Sequence, residues 1–135
     1  MGFLSRIGQK RENERREAWE AAMVKLVKAV SERITDDAEH KCTGEIIGFA
    51  DDDSLVPGFL ALSERKMVWA YADKMEVQRL DVRDGFRWSY MEELSSEGRT
   101  TLMIFGKKDP FNLIMFPPDS ALLHCIQAEG EDQHS

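Results

Sequence analysis

The stretch LSERKMVW, residues 62–69, decides how the middle of this chain folds. Leu62 ends one apolar run, Ser63-Glu64-Arg65 are three polar residues, and Met67, Val68 and Trp69 begin a second run. Short polar residues between two runs of strand-favouring side chains form the pattern of a hairpin. The reading is a turn at 63–65, Lys66 as its solvent-facing exit, and a core strand from Met67 onward. It carries the architecture and no chemistry.

The same rhythm extends on both sides. TGEIIGF, GFLALS, KMVWAY, a run near VQRLDV, GFRWSYM, TTLMIFG and FNLIMF are short and rich in β-branched or aromatic residues. Turn chemistry separates them, including Asp51-Asp52-Asp53-Ser54, Arg83-Asp84-Gly85 and Lys107-Lys108-Asp109-Pro110. Phe86, Trp88 and Tyr90 alternate along one strand and are read as sharing an inward face. The apolar phase slips between Val77 and Leu80, which predicts a bulge or a late strand start. Connections this short exclude a parallel sheet, whose crossovers need a dozen residues. The fold class is therefore mainly β, α+β overall: a seven-stranded antiparallel meander folded into a barrel or sandwich.

Helical periodicity brackets the strands. From about Gln9 to Ile34, Trp19, Met23, Leu26, Val27, Val30 and Ile34 recur at spacings of three and four and form one stripe. KRENERRE, the first half of that helix, has nothing apolar to bury and is read as projecting into solvent or fraying. Thr35-Asp36-Asp37 supplies a stop. At the other end, PPDSALLHCIQAEG predicts a short amphipathic helix. Its prolines suit a first turn, Asp119 suits the positive end, Leu122, Cys125, Ile126 and Glu129 share one face, and Gly130 is the stop. The divisions are residues 1–36 for the N-terminal helix with its basic arm, 43–128 for the β domain with its C-terminal helix, and 129–135 for a polar tail.

Composition narrows the function classes. The 135 residues carry a net charge of −7, split as +3 over residues 1–34 and −10 over residues 35–135. An acidic body opposes general nucleic-acid binding, which needs excess Lys and Arg to neutralise phosphates. Arg87 interleaved with Phe86, Trp88 and Tyr90 suggests a single-strand nucleic-acid platform, but the alternation turns those rings inward. Cys42 with His40, and Cys125 with His124, invite a nucleophile-and-base or zinc reading. Adjacent helical residues diverge by roughly 100°, so His124 and Cys125 do not readily share an ion, and free cysteine is usually a small core hydrophobe. The expectation is a nonenzymatic chain without cofactor or metal, with both thiols reduced in the cytoplasm.

Seven short strands followed by one C-terminal helix, taken with LSERKMVW and with GRTTLMIFGKKDPFNLIMFPPDSALLHCI near the end, is similar to the bacterial pleckstrin-homology-like families related to GRAM domains. Those families carry a leucine, Ser or Thr, two polar residues and a basic residue before an apolar strand; Lys66 stands here where arginine is commoner. The resemblance covers roughly residues 43–128. It implies a PH-like scaffold whose sheet edge and helix-side groove suit a protein or peptide partner. Phosphoinositide binders of that superfold place basic residues in the first strand-to-strand loop. Asp51, Asp52 and Asp53 stand there instead and repel a phosphorylated headgroup, so headgroup binding is not implied.

Two surfaces remain as interaction candidates. The stripe bearing Trp19, Met23, Val27 and Val30 either packs on its own barrel or forms a homo-oligomer. The arm MGFLSRIGQKR, with Phe3, Leu4, Arg6, Ile7, Lys10 and Arg11, has the composition of a short in-plane membrane anchor. A peripheral membrane adaptor is thus the alternative to a protein-binding module.

Overall fold

A computed structural model of the protein describes residues 2–34, 40–49, 54–63, 66–73, 76–83, 85–96, 98–106 and 111–132, with the backbone alone for 2–12, 40, 73 and 76–83. Helix α1 (Gly2–Arg33) leads into strands β1 (His40–Phe49), β2 (Leu55–Ser63), β3 (Lys66–Asp73), β4 (Glu76–Arg83) and β5 (Arg87–Tyr90). A 3₁₀ turn (Glu92–Leu94), β6 (Thr100–Phe105), β7 (Asn112–Phe116), helix α2 (Ala121–Glu129) and the two-residue β8 (Glu131–Asp132) complete the chain.

All strands join one eight-stranded sheet in the order β4-β3-β2-β1-β7-β6-β5-β8. The expected single meander is split into two, β1–β4 and β5–β7, and β1 links them by pairing with β2 along its length and with β7 at Ile47–Met115. No ladder joins the outer strands β4 and β8 among the described residues, so the sheet is open where a barrel or sandwich was expected. β8 runs parallel to β5, pairing Arg87 with Glu131 and Trp88 with Asp132. The expected polar tail therefore contributes a short strand.

The LSERKMVW hairpin is where the sequence put it. β2 ends at Ser63, β3 begins at Lys66, and the Ser63 hydroxyl donates to the Lys66 carbonyl at 3.1 Å; Glu64 and Arg65 lie outside the described residues. Lys66 is more than a solvent-facing exit. Its ammonium donates to the Arg33 carbonyl at 2.7 Å, placing a cation on the carbonyl end of α1.

Antiparallel pairing sorts the side chains onto two faces. On one, Ile46, Leu60, Leu62, Met67, Trp69, Leu102, Ile104, Ile114 and Phe116 form the main core, covered by Leu122 and Ile126 of α2. On the other, Leu26 and Val30 of α1, with Ile34 just beyond its end, pack on Ala61, Val68 and Ala70. The N-terminal helix thus rests on its own sheet, and small residues in β2 and β3 let it approach closely.

One close approach in the main core involves Tyr71. Tyr71 lies across β2 from β1, and its ring fills the space left by Gly48 and Gly58: a Cβ at Gly58 would sit 2.6 Å from Tyr71 Cδ1 and 2.8 Å from Ile46 Cγ1. Burial pushes the Tyr71 phenol well above the usual tyrosine range.

Several expectations are corrected. α1 begins at Gly2, not near Gln9. β4 pairs with β3 without a break from Lys66–Arg83 to Asp73–Glu76, so there is no bulge at Val77–Leu80; the register shift is in β1, between His40 and Cys42. Pro117 and Pro118 precede α2 rather than opening it. Ser120 is its N-cap, accepting from the Leu123 amide at 3.2 Å, and Asp119 has a left-handed backbone. Gly130 does end the helix, its amide donating to the Ile126 carbonyl at 3.0 Å. The Thr35-Asp36-Asp37 stop and the Asp51–Asp53 loop lie outside the described residues.

The largest correction concerns the cysteines. Cys42 and Cys125 are bonded to each other across a sequence separation of 83 residues, with their Cα atoms 6.5 Å apart. The bridge ties the start of β1 to the middle of α2. Spacing could not reveal it, because α2 comes over β1 only once the second meander has formed. The expectation of two reduced thiols is therefore corrected: both sulfurs are taken up by the bridge. Among the described residues no helix is long and apolar enough to cross a membrane.

Candidate functional site

An open concavity lies beside the carboxyl end of α2. It is an open groove of about 560 Å³ lined by Gly85, Phe86, Arg87, Phe105, Gly106, Glu129 and Glu131. That volume falls within the range of small-molecule and peptide-side-chain pockets.

Local structure explains each wall. Gly85 has a left-handed backbone (φ 87°), a conformation that favours glycine, and it turns the chain into β5. Phe86 follows, its ring against the backbone of Gly130, so closely that no side chain would fit at residue 130. The Phe86 carbonyl accepts from the Glu131 amide at 3.3 Å, and Trp88 Nε1 donates to the Gln127 carbonyl at 3.1 Å. These bonds fix the end of α2 and β8 against β5. Phe105 ends β6 opposite Arg87, and its ring meets Phe111 with centroids 6.3 Å apart.

The electrostatics are mixed. Glu129 pairs with Lys41 at 2.7 Å, and both side chains are more than a third exposed, so the pair contributes at most about 1 kcal/mol. Arg87 and Glu131 are exposed at the mouth. Two phenyl rings, one guanidinium and two carboxylates suit an apolar side chain on an extended segment, with charges of either sign flanking it.

The residues singled out from sequence scatter. Val30 is fully buried and belongs to the core beneath α1, so it offers no surface. Met23 packs partly on that core. Trp19 is half-buried, its Nε1 donating to Glu45 Oε1 of β1 at 2.7 Å. Val27 stands at the edge of the stripe and is exposed, and Val24, which the sequence reading omitted, is more exposed still at 70%. Phe3, Leu4, Arg6, Ile7, Lys10 and Arg11 fall in the first turns of α1, and their side chains lie outside the described residues. Phe86 and Trp88 pack on the main core as expected, but Tyr90, at the end of β5, is half exposed. The Cys–His pairings dissolve. Both sulfurs are in the disulfide and His124 is exposed, while the His40 side chain lies outside the described residues.

The resemblance implied a helix-side groove, but sequence reasoning did not assemble its lining, because the walls come from four separate elements. Its one local signal was the Gly-Phe-Arg step at 85–87, where a turn glycine precedes an aromatic and a cation. The chain matches no family model, no curated protein and no solved structure.

Proposed function

We propose that the chain is a noncatalytic, PH-like interaction module that takes a protein or peptide segment in the groove between β5, β6 and the end of α2. The observation that carries this reading is the groove itself. It sets Phe86 and Phe105 beside a sheet edge where the chain's own β8 supplies only two paired residues. Extended peptides use such edges by donating backbone hydrogen bonds and burying alternate side chains. The strand order β4-β3-β2-β1-β7-β6-β5, followed by one helix, supports the PH-like part of the reading.

Selection of a random peptide library on the full-length chain tests it. The expected result is an enriched sequence class whose binding, by fluorescence polarisation, weakens at least tenfold in Phe105→Ala and Arg87→Glu with circular dichroism unchanged. Absence of enrichment, or binding indifferent to both substitutions, overturns the reading.

Self-association through α1 is a second element of the proposal. It is favoured by residues 13–18, all exposed on a helix that continues to Gly2. The alternative for the same arm is a peripheral membrane adaptor, which the −10 charge of residues 35–135 disfavours on an anionic surface.

A further inference from the structure

The sheet face that α1 covers is only partly covered. α1 lies over β2 and β3, whereas the same face of β1 and β7 ends in apolar side chains open to solvent with the whole chain in place. Phe49 pairs with Leu55. Ile47 pairs with Met115, so Phe49 and Leu113, each two residues further along, lie on that same face of adjacent strands. Phe49, Phe111 and Leu113 are 59, 50 and 43% exposed. Apolar side chains clustered in this way mark an interaction surface more often than chance exposure does.

α1 presents the complementary problem. Its contact with the sheet runs from Arg33, held by Lys66, to Trp19, held by Glu45. The helix continues for 17 residues to Gly2, about 25 Å at 1.5 Å per residue, whereas β1 extends only about 13 Å beyond Glu45 to Phe49. Residues 13–18 are all exposed, so the helix has left its own sheet by then. A helix of this length without tertiary packing is marginal in water. The sequence beyond, GFLSRIGQKR, combines three large apolar residues with three cations.

We propose that two copies of this chain exchange N-terminal arms, the first turns of α1 of each copy seating on the Phe49/Leu55/Leu113 face of the other. Charge selects this occupant. Residues 1–16 carry five cations against two carboxylates, while residues 35–135, which supply the face, carry a net charge of −10. A basic apolar arm meets an apolar face on an acidic body, and the reciprocal exchange closes at a dimer, as an isologous contact does. This inference rests on the self-association reading of α1 and is independent of the peptide groove.

Light scattering on size-exclusion fractions of the full chain tests it across a concentration series. The expected mass is twice the 15.5 kDa of one chain, with dissociation strengthened at least tenfold by Phe49→Glu, by Leu113→Glu, and by Phe3→Asp/Ile7→Asp in the arm. An equimolar mixture of the Phe49→Glu and arm variants is expected to recover part of the dimer, because one intact arm–face contact remains in the mixed pair. A monomer at every concentration overturns self-association altogether. A dimer indifferent to Phe49→Glu and Leu113→Glu overturns this face while leaving self-association standing. A monomer whose arm instead drives co-sedimentation with anionic phosphatidylserine vesicles assigns the arm to membrane and overturns the exchange. The groove variant Arg87→Glu, on β5 and away from β1 and β7, leaves the mass unchanged, which separates this outcome from failure of the peptide reading.

Discussion

Replacing Cys42 and Cys125 together with alanine, or reducing the full chain, opens the bridge that closes an 83-residue span between β1 and α2. The chain-entropy relation for a loop of that size gives a stabilisation of about 4.5 kcal/mol at 25 °C, exerted mainly on the unfolded ensemble. Denatured chains are more compact than that relation assumes, so the expected loss is about 2–4.5 kcal/mol. For 135 residues, with unfolding entropy of roughly 2.1 cal/mol/K per residue, the midpoint falls by about 7–16 °C. The native fold persists, because Leu122 and Ile126 still bury α2 on the main core. Urea unfolding followed by tryptophan fluorescence, with and without a phosphine reductant, measures the difference, and a thiol assay on the native protein fixes the starting state. Superimposable curves, or two reactive thiols before denaturation, refute the reasoning.

Two further predictions follow from Tyr71. Gly58→Ala drives a Cβ into the Tyr71 ring and Ile46 and is expected to cost about 1–3 kcal/mol in a urea titration; the loss is expected to shrink when Tyr71→Ala is added, since contacting sites are not additive. The second concerns alkaline pH. Burial raises the folded phenol above its unfolded value near ~10, so the folded state holds its proton more tightly, and stability present below that pH is lost as pH rises above it. Absorbance at 295 nm is expected to show a late ionisation that coincides with unfolding and is missing in Tyr71→Phe. A late component that survives in Tyr71→Phe contradicts the assignment.

Local signals carried most of the architecture. The strand ends at Ser63 and Lys66, the strand periods and the Leu26/Val30/Ile34 spacing each depend on residues close in sequence, and these features lie where their residues imply. What failed depended on distance. Cys42 and Cys125 meet only through the arrangement of both meanders, and Glu131–Asp132 becomes a strand only because β5 offers an edge beside it. Val77–Leu80 read as a slip because alternation was judged on one strand, whereas pairing with β3 holds it in register. The resemblance implied a groove beside α2, but its lining was illegible for the same reason: Phe86, Phe105 and Glu131 acquire a common wall only when β6, β5 and α2 are assembled. Tyr90 kept the inward phase of Phe86 and Trp88 but lies where β5 ends, beyond the cover of α2.

The position of β1 also dictates an order of events during synthesis. α1 and the first four strands are complete by Arg83, yet one edge of β1 stays bare until β7 emerges, since Met115 follows its partner Ile47 by 68 positions. At roughly 5–20 residues per second that interval lasts about 3–14 s. Throughout it the nascent chain displays an open strand edge, the feature most prone to pairing with a neighbouring polypeptide. Crowded polysomes are therefore the setting in which this protein is most exposed to misassembly, and slow translation between residues 84 and 116 prolongs the hazard.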